Sequence, residues 1–316
     1  MEIRGFSRSI LGQRRDAVVW RTAIGLALAL ATCVGNPASS KPALRPGARY
    51  VAMGSSFASG PGVTTSADTP PNRCSRSIDN YAHQLARKRS LTLVDVSCGG
   101  ATTANVLQPW DELPAQVDAL TPDTALVTIT IGGNDVGFIG GLMMGSCSGS
   151  AKVNGGAVAS MCQAIAARFS GGTKPALPPQ FSGPTEESWR NLETAFNRIA
   201  AEVRQRSPRA RLVFVEYPVV VPARKGCATA PISVDAAARA SDTAVRLARL
   251  TAAAARRAGA DLIRTSALSR RHDACSTDPW VTGFIPPPGA TGFAAYHPNL
   301  AGMTAIARAL DHQLGR

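Results

Sequence analysis

Four short segments hold the side chains able to perform acyl-transfer chemistry. Gly54-Ser55-Ser56-Phe57-Ala58-Ser59-Gly60 supplies hydroxyls, and Tyr296-His297-Pro298-Asn299 supplies an imidazole. Cys98-Gly99-Gly100-Ala101-Thr102 and Gly132-Gly133-Asn134-Asp135 supply unobstructed backbone N–H groups and a carboxamide. A hydroxyl attacks a carbonyl efficiently when a base takes its proton, and the oxygen that turns negative needs donors aimed at it. Taken singly, each segment is ordinary. Gly-Ser-Ser makes a turn, Gly99-Gly100 a bulge, residues 132–135 a strand end, and His-Pro-Asn a helix entry.

The elements around them supply the missing constraint. Residues 49–53, 91–97 and 125–131 read as strands, and each runs into one of the first three segments. The sequence ALVTITI at 125–131 is a nearly continuous apolar and β-branched run, as a parallel strand covered on both faces requires. Helices are expected near 77–89, 111–120 (with Pro114 in its first turn), 185–205, 234–258 and 300–314, and further strands at 210–219 and 261–265. Alternating strands and helices imply a central parallel sheet between two helical layers, a three-layer α/β/α sandwich. Ligands bind such sheets at the carboxyl ends of the strands, so the three segments converge on one edge, where the loop before the last helix can bring His297. Residues 140–184, rich in Gly, Ser, Ala and Pro, read as an insertion tied by a disulfide between Cys147 and Cys162. No repeat and no linker divides 41–316, which is expected to be one catalytic domain.

Composition narrows the partners. The chain has 316 residues, 45% hydrophobic and 17% charged, enough for one large core. Its formal charge of +13 comes without a dense Lys/Arg run, and its 5% aromatic content leaves little for base stacking, so no nucleic-acid partner is expected. In residues 1–40, Arg4, Arg8, Arg14, Arg15 and Arg21 precede an apolar run at 22–34 and small residues at 35–40, the pattern of a signal peptide. The run is shorter than the roughly 20 residues that span a bilayer. Arg14-Arg15 hints at twin-arginine export, although Asp16-Ala17-Val18 fits that route poorly, and Cys33 is read as discarded with the leader. Losing five arginines, Glu2 and Asp16 lowers the charge from +13 to +10, and a secreted basic protein can contact an anionic membrane or wall surface. Six cysteines remain: Cys74, Cys98, Cys147, Cys162, Cys227 and Cys275. An even number in an exported chain suggests disulfides, most simply in sequential pairs. There is no C-x-x-C spacing and no His/Cys cluster, so neither metal nor organic cofactor is expected.

In order and content the four segments resemble the SGNH (GDSL-like) hydrolases, particularly the secreted actinobacterial lipases and esterases, over roughly residues 48–316. The resemblance implies a flavodoxin-like fold and a catalytic serine, glycine, asparagine and histidine, which fall on Ser56, Gly100, Asn134 and His297. Ser56 would form an acyl-enzyme with His297 as general base. The Ser56 and Gly100 N–H groups and the Asn134 amide would face the oxyanion. Two positions depart from the family pattern. Ser55 stands where the first block usually has aspartate, and spacing to Gly60 selects Ser56 over Ser55 as nucleophile. The aspartate usual three residues before the histidine is Ala294 here, so a dyad is expected. The main-chain carbonyl of Ala294, or one close to it, would orient the imidazole, with Asp278 as the alternative. The expected function is a secreted, monomeric lipase or carboxylesterase acting on lipid or acylated small molecules. An acetylesterase for carbohydrate or cell-wall polymer, or a non-catalytic envelope-binding protein, are the alternatives. His83, His272 and His312 match no motif and are expected at the surface. Trp280, Phe284 and Phe293 are read as packing anchors rather than an acyl pocket.

Overall fold

The computed structural model describes residues 44–150, 162–163, 183–290 and 292–315. The leader expected at 1–40 and most of the insertion at 140–184 lie outside the described residues. Five strands, β1 (Arg49–Gly54), β2 (Thr92–Asp95), β3 (Thr124–Thr130), β4 (Arg211–Val215) and β5 (Asp261–Ile263), pair in parallel in the order β2-β1-β3-β4-β5. This is the doubly wound order of flavodoxin-like sheets, and the chain has the α/β architecture read from its sequence.

Alternation along the strands decides which layer each side chain joins. Val51, Met53, Val127, Ile129 and Phe214 enter one apolar cluster. That cluster is closed by Trp189, Leu192 and Phe196 of a helix at Glu186–Arg206 and by Leu247 of another at Val234–Ala258. Tyr50, Ala52, Leu126, Val213 and Val215 enter the second, against Tyr81 and Leu85 of Tyr81–Arg89 and Met303, Ile306 and Leu310 of Leu300–Leu314. In chain order the helices are α1 (Ser56–Ser59), α2 (Tyr81–Arg89), α3 (Thr103–Leu107), α4 (Phe138–Ser150), α5 (Glu186–Arg206), α6 (Val234–Ala258), α7 (Thr265–Leu268) and α8 (Leu300–Leu314). Side-chain caps start several of them, and Asn299 starts α8 by accepting the Gly302 N–H at 3.0 Å, which fixes where the chain leaves His297.

The structure differs from expectation at 111–120, where only a single 3-10 turn forms at Gln116–Ala119. The Gln116 side chain leaves its own segment to clamp the end of β1, accepting the Gly54 N–H at 2.7 Å and donating to the Gly54 carbonyl at 3.0 Å. That tertiary bond overrides local helical propensity. β4 stops at Val215, short of the expected 219, because the Glu216 N–H turns to the Ile263 carbonyl and the Val219 N–H to the Ser269 hydroxyl. The cysteines meet in sequential pairs, with sulfurs 2.11 Å apart for Cys74 and Cys98, 2.13 Å for Cys147 and Cys162, and 2.12 Å for Cys227 and Cys275.

Candidate active site

Ser56 opens the one-turn helix α1 directly at the end of β1. The turn depends on Gly54, whose φ of 136° is closed to ordinary residues and whose added Cβ would lie 2.3 Å from the Thr130 carbonyl oxygen. Ser56 Oγ lies 2.8 Å from His297 Nε2, and both residues are 8% exposed. On the far side of the ring, His297 Nδ1 lies 2.7 Å from the Ala295 carbonyl oxygen. A carbonyl only accepts, so Nδ1 carries the proton and Nε2 is left to accept from the serine, the tautomer a base needs. Burial pushes the imidazole pKa down to about 4, against the opposing pull of the Ala295 carbonyl.

The orienting carbonyl is thus one residue beyond Ala294. The Ala294 carbonyl instead accepts from the Thr282 hydroxyl at 2.6 Å. Thr282 ties the histidine loop three ways, because its hydroxyl also accepts the His297 N–H at 3.1 Å and its own N–H donates to the His297 carbonyl at 2.8 Å. Asp278 is elsewhere. Its carboxylate is largely exposed and lies 3.2 Å from His272 Nδ1, so it belongs to the His272 corner and does not orient His297. His272 is half-buried and stacks on Trp280 with ring centroids 4.1 Å apart, and His83 is half-buried 3.6 Å from the carboxylate of Asp95. Of the three expected at the surface, only His312 is exposed. Phe284 is fully buried and stacks on Tyr296, while Phe293 packs partly buried against the core.

Ser55 is buried beneath the site, its Oγ 3.0 Å from the Tyr217 hydroxyl. That hydroxyl also accepts the Gly133 N–H at 3.0 Å. Tyr217 therefore links the turn carrying Ser56 to the segment carrying Asn134, while its ring packs 4.6 Å from Phe57, which in turn lies 5.0 Å from the His297 ring. Sequence reasoning missed both Tyr217 and Thr282. The first lay inside the strand expected at 210–219, and the observed strand stops two residues before it, at Val215.

The second and third segments are laced together at the start of α3. Asn134 Nδ2 donates to the Ala101 carbonyl at 2.9 Å, which leaves its second proton free of protein partners among the described residues. The Asp135 carboxylate accepts the Thr103 N–H at 3.1 Å as well as the Thr103 hydroxyl, and burial raises its pKa. Gly100 has φ 81°, and its N–H has no partner among the described residues. An added Cβ there would meet Trp110 at an ordinary 3.6 Å, so the dihedral rather than crowding calls for glycine. The Cys98 N–H donates to the Gly54 carbonyl at 3.0 Å, which holds this segment against the end of β1. The arrangement can deprotonate a hydroxyl and offer neutral donors to a developing oxyanion. Among the described residues no His, Cys, Asp and Glu group could hold a metal ion, and no helix is long and apolar enough to cross a membrane.

Residues 52–305 match the GDSL-like lipase/acylhydrolase family. Lipase 2 of Streptomyces coelicolor is 30% identical over 297 residues, covering 92% of this chain and 93% of that protein. A lipase of Streptomyces rimosus is 28% identical over 284 residues, covering 90% of this chain and 92% of that protein. Among solved structures, phospholipase A1 from Streptomyces albidoflavus NA297 superposes with a TM-score of 0.62 at 24% identity, covering 84% of this chain and 99% of its own. The extracellular lipase from Streptomyces rimosus superposes at 0.61 and 24% identity, covering 84% and 98%, and these two structures share the fold.

Proposed function

The chain belongs to the GDSL-like lipase/acylhydrolase family and is a serine ester hydrolase, and from that premise we propose that Ser56 and His297 form its catalytic dyad. Ser56 Oγ attacks the ester carbonyl as His297 Nε2 takes its proton. The tetrahedral oxyanion rests on the Ser56 N–H, the Gly100 N–H and the Asn134 amide, where one donor typically contributes about 2.7–4 kcal/mol to lowering the barrier. His297 then returns the proton to the leaving alcohol, giving an acyl-serine. Water, deprotonated by the same imidazole, releases the acid.

The observation that carries this reading is the 2.8 Å contact between Ser56 Oγ and His297 Nε2 on a ring whose tautomer the Ala295 carbonyl fixes. The substrates are carboxylic esters of lipids or acylated small molecules. The protein acts outside the cell as a monomer of residues 41–316 after removal of the leader. Three cysteine pairs in bonding contact support that location, and the basic surface suits an anionic membrane or wall.

A fluorophosphonate probe tests the assignment. It is expected to label the folded protein and its Ser55→Ala variant but not Ser56→Ala; labelling that survives Ser56→Ala removes Ser56 from the mechanism. Rates on p-nitrophenyl acetate, a long-chain ester and an acetylated polysaccharide then define the acyl preference.

A further inference from the structure

Beyond the dyad, a cavity of about 360 Å³ opens at the carboxyl ends of β4 and β5, on the α6 side of the sheet. Its walls are mostly apolar, with Ser241 and Ser266 among them: the run from Tyr217 to Val221, Phe138, and Ala240, Ala244 and Ala248 on successive turns of α6. Neither Ser56 nor His297 lines it, and among its lining residues Tyr217 bonds Ser55 and packs on Phe57 of the turn that carries Ser56. Two cations stand at its border, Arg249 of α6 and Arg270 just past α7. Both are exposed, and neither has an ion pair or hydrogen bond among the described residues. On the same helix, by contrast, Arg246 pairs with Glu186 and Arg257 with Glu193. The rim is itself partly apolar, since Val245 lines the cavity while remaining 46% exposed.

An apolar pocket bordered by unpaired guanidinium groups matches an apolar tail that ends in an anion. The volume lies at the lower end of small-molecule pockets, which suits one alkyl chain rather than a two-chain lipid. We propose that this cavity binds a free long-chain carboxylate, its tail along the α6 alanines and its headgroup on Arg249 and Arg270. An ester hydrolase releases such an acid, so the source of the ligand rests on the hydrolase reading, whereas binding itself does not require Ser56 to react.

Calorimetric titration of the full chain with laurate decides the matter, using Ser56→Ala and, separately, protein reacted to completion with a small fluorophosphonate. Laurate is expected to bind one-to-one to both, tightening roughly tenfold for each two methylenes from octanoate upward until the cavity is full. Replacing both arginines (Arg249→Ala with Arg270→Ala) is expected to weaken laurate tenfold or more and leave uncharged dodecanol unchanged. Ala244→Trp is expected to fill the pocket and abolish binding of both, with circular dichroism to confirm folding. Should Ala244→Trp fail to fold, the arginine pair still decides. Laurate excluded by the fluorophosphonate adduct would place the acid in the catalytic site and overturn the proposal, as would laurate affinity indifferent to the arginine replacements. Anionic phospholipid vesicles that bind while monomeric laurate does not would overturn it in favour of a membrane surface. Failure of the probe to react with Ser56 would count against the dyad alone, because the Ser56→Ala titration stands without it.

Discussion

Acidification should leave this enzyme active well below the pH at which most histidine-based hydrolases stop. An imidazole in water titrates near 6.5, and burial brings His297 down to about 4. Only the neutral ring accepts the Ser56 proton, so activity is present above the folded-state pKa and lost as pH falls through it. At pH 5 an ordinary histidine would be about 3% neutral, whereas His297 would remain about nine-tenths neutral. The profile of kcat/KM for a soluble short-chain ester, measured from pH 3.5 to 8 at constant ionic strength, reports the free enzyme and should bend near pH 4. Circular dichroism at each pH separates titration from unfolding. An acid limb centred between 6 and 7 in folded protein would refute the reasoning, since it would mean that burial does not depress the His297 imidazole.

Stability carries the same signature with a definite sign. Between about pH 4 and 6.5 the unfolded chain protonates His297 while the folded chain does not, so folding loses stability as pH falls across that window, by about 3 kcal/mol in full. Above 6.5 the group is neutral in both states and contributes nothing. Burial raises the carboxyl pKa values of Asp95, Asp135 and Glu216, which act in the opposite sense. The difference between wild type and His297→Ala, measured by urea unfolding at pH 4.5 and 7.5, therefore isolates the histidine.

Asp278→Ala is expected to keep kcat within about twofold, because its carboxylate faces His272; a thousands-fold loss in folded protein would return it to the mechanism. Tyr217→Phe strips the Gly133 N–H of its acceptor and leaves Ser55 only its longer bond to the Thr130 carbonyl, a buried loss of about 1–3 kcal/mol. It should lower kcat by roughly 10- to 100-fold with little change in KM, and wild-type kcat would show that the link is idle. Thr282→Val should cut kcat while Thr282→Ser preserves it, since only a hydroxyl can bond both the Ala294 carbonyl and the His297 N–H; equal activity of the two variants would contradict that role.

What the sequence made legible was whatever local chemistry determines. The unbroken β-branched run of β3 and the glycines after it specify a buried strand and its end, so the sheet and the segments at its edge were readable. The stretch 111–120 was not, because Gln116 answers to Gly54, 62 residues away, rather than to its neighbours. The same limit applies within the site. His297 stands in a recognisable segment, but every residue has a carbonyl, so nothing in the sequence singles out Ala295 as its partner. A search for a carboxylate leads to Asp278, which is near in sequence and bonded to another histidine. Tyr217 meets Ser55 across 162 residues, a contact that only the closed sheet creates.

The two departures from the family pattern have one physical consequence. At position 55 a neutral hydroxyl replaces a carboxylate and finds a neutral phenol. At position 294 the carboxylate is gone and a main-chain dipole from Ala295 does the orienting. A carboxylate beside the imidazole would hold its pKa up and stabilise the imidazolium as it forms. Without one, the ring is a weaker proton acceptor, and in the proposed mechanism the barrier rests more heavily on the Ser56 and Gly100 N–H groups and the Asn134 amide, which must face the oxyanion already placed. Hydrogen bonds stand behind those donors: the Asn134 amide to the Ala101 carbonyl, the Thr103 N–H to the Asp135 carboxylate, and the Gly133 N–H through Tyr217 to Ser55. Under the proposed dyad, rigidity of the oxyanion site stands in for charge behind the base, so substitutions that loosen the Tyr217 link should impair catalysis more than substitution of Asp278.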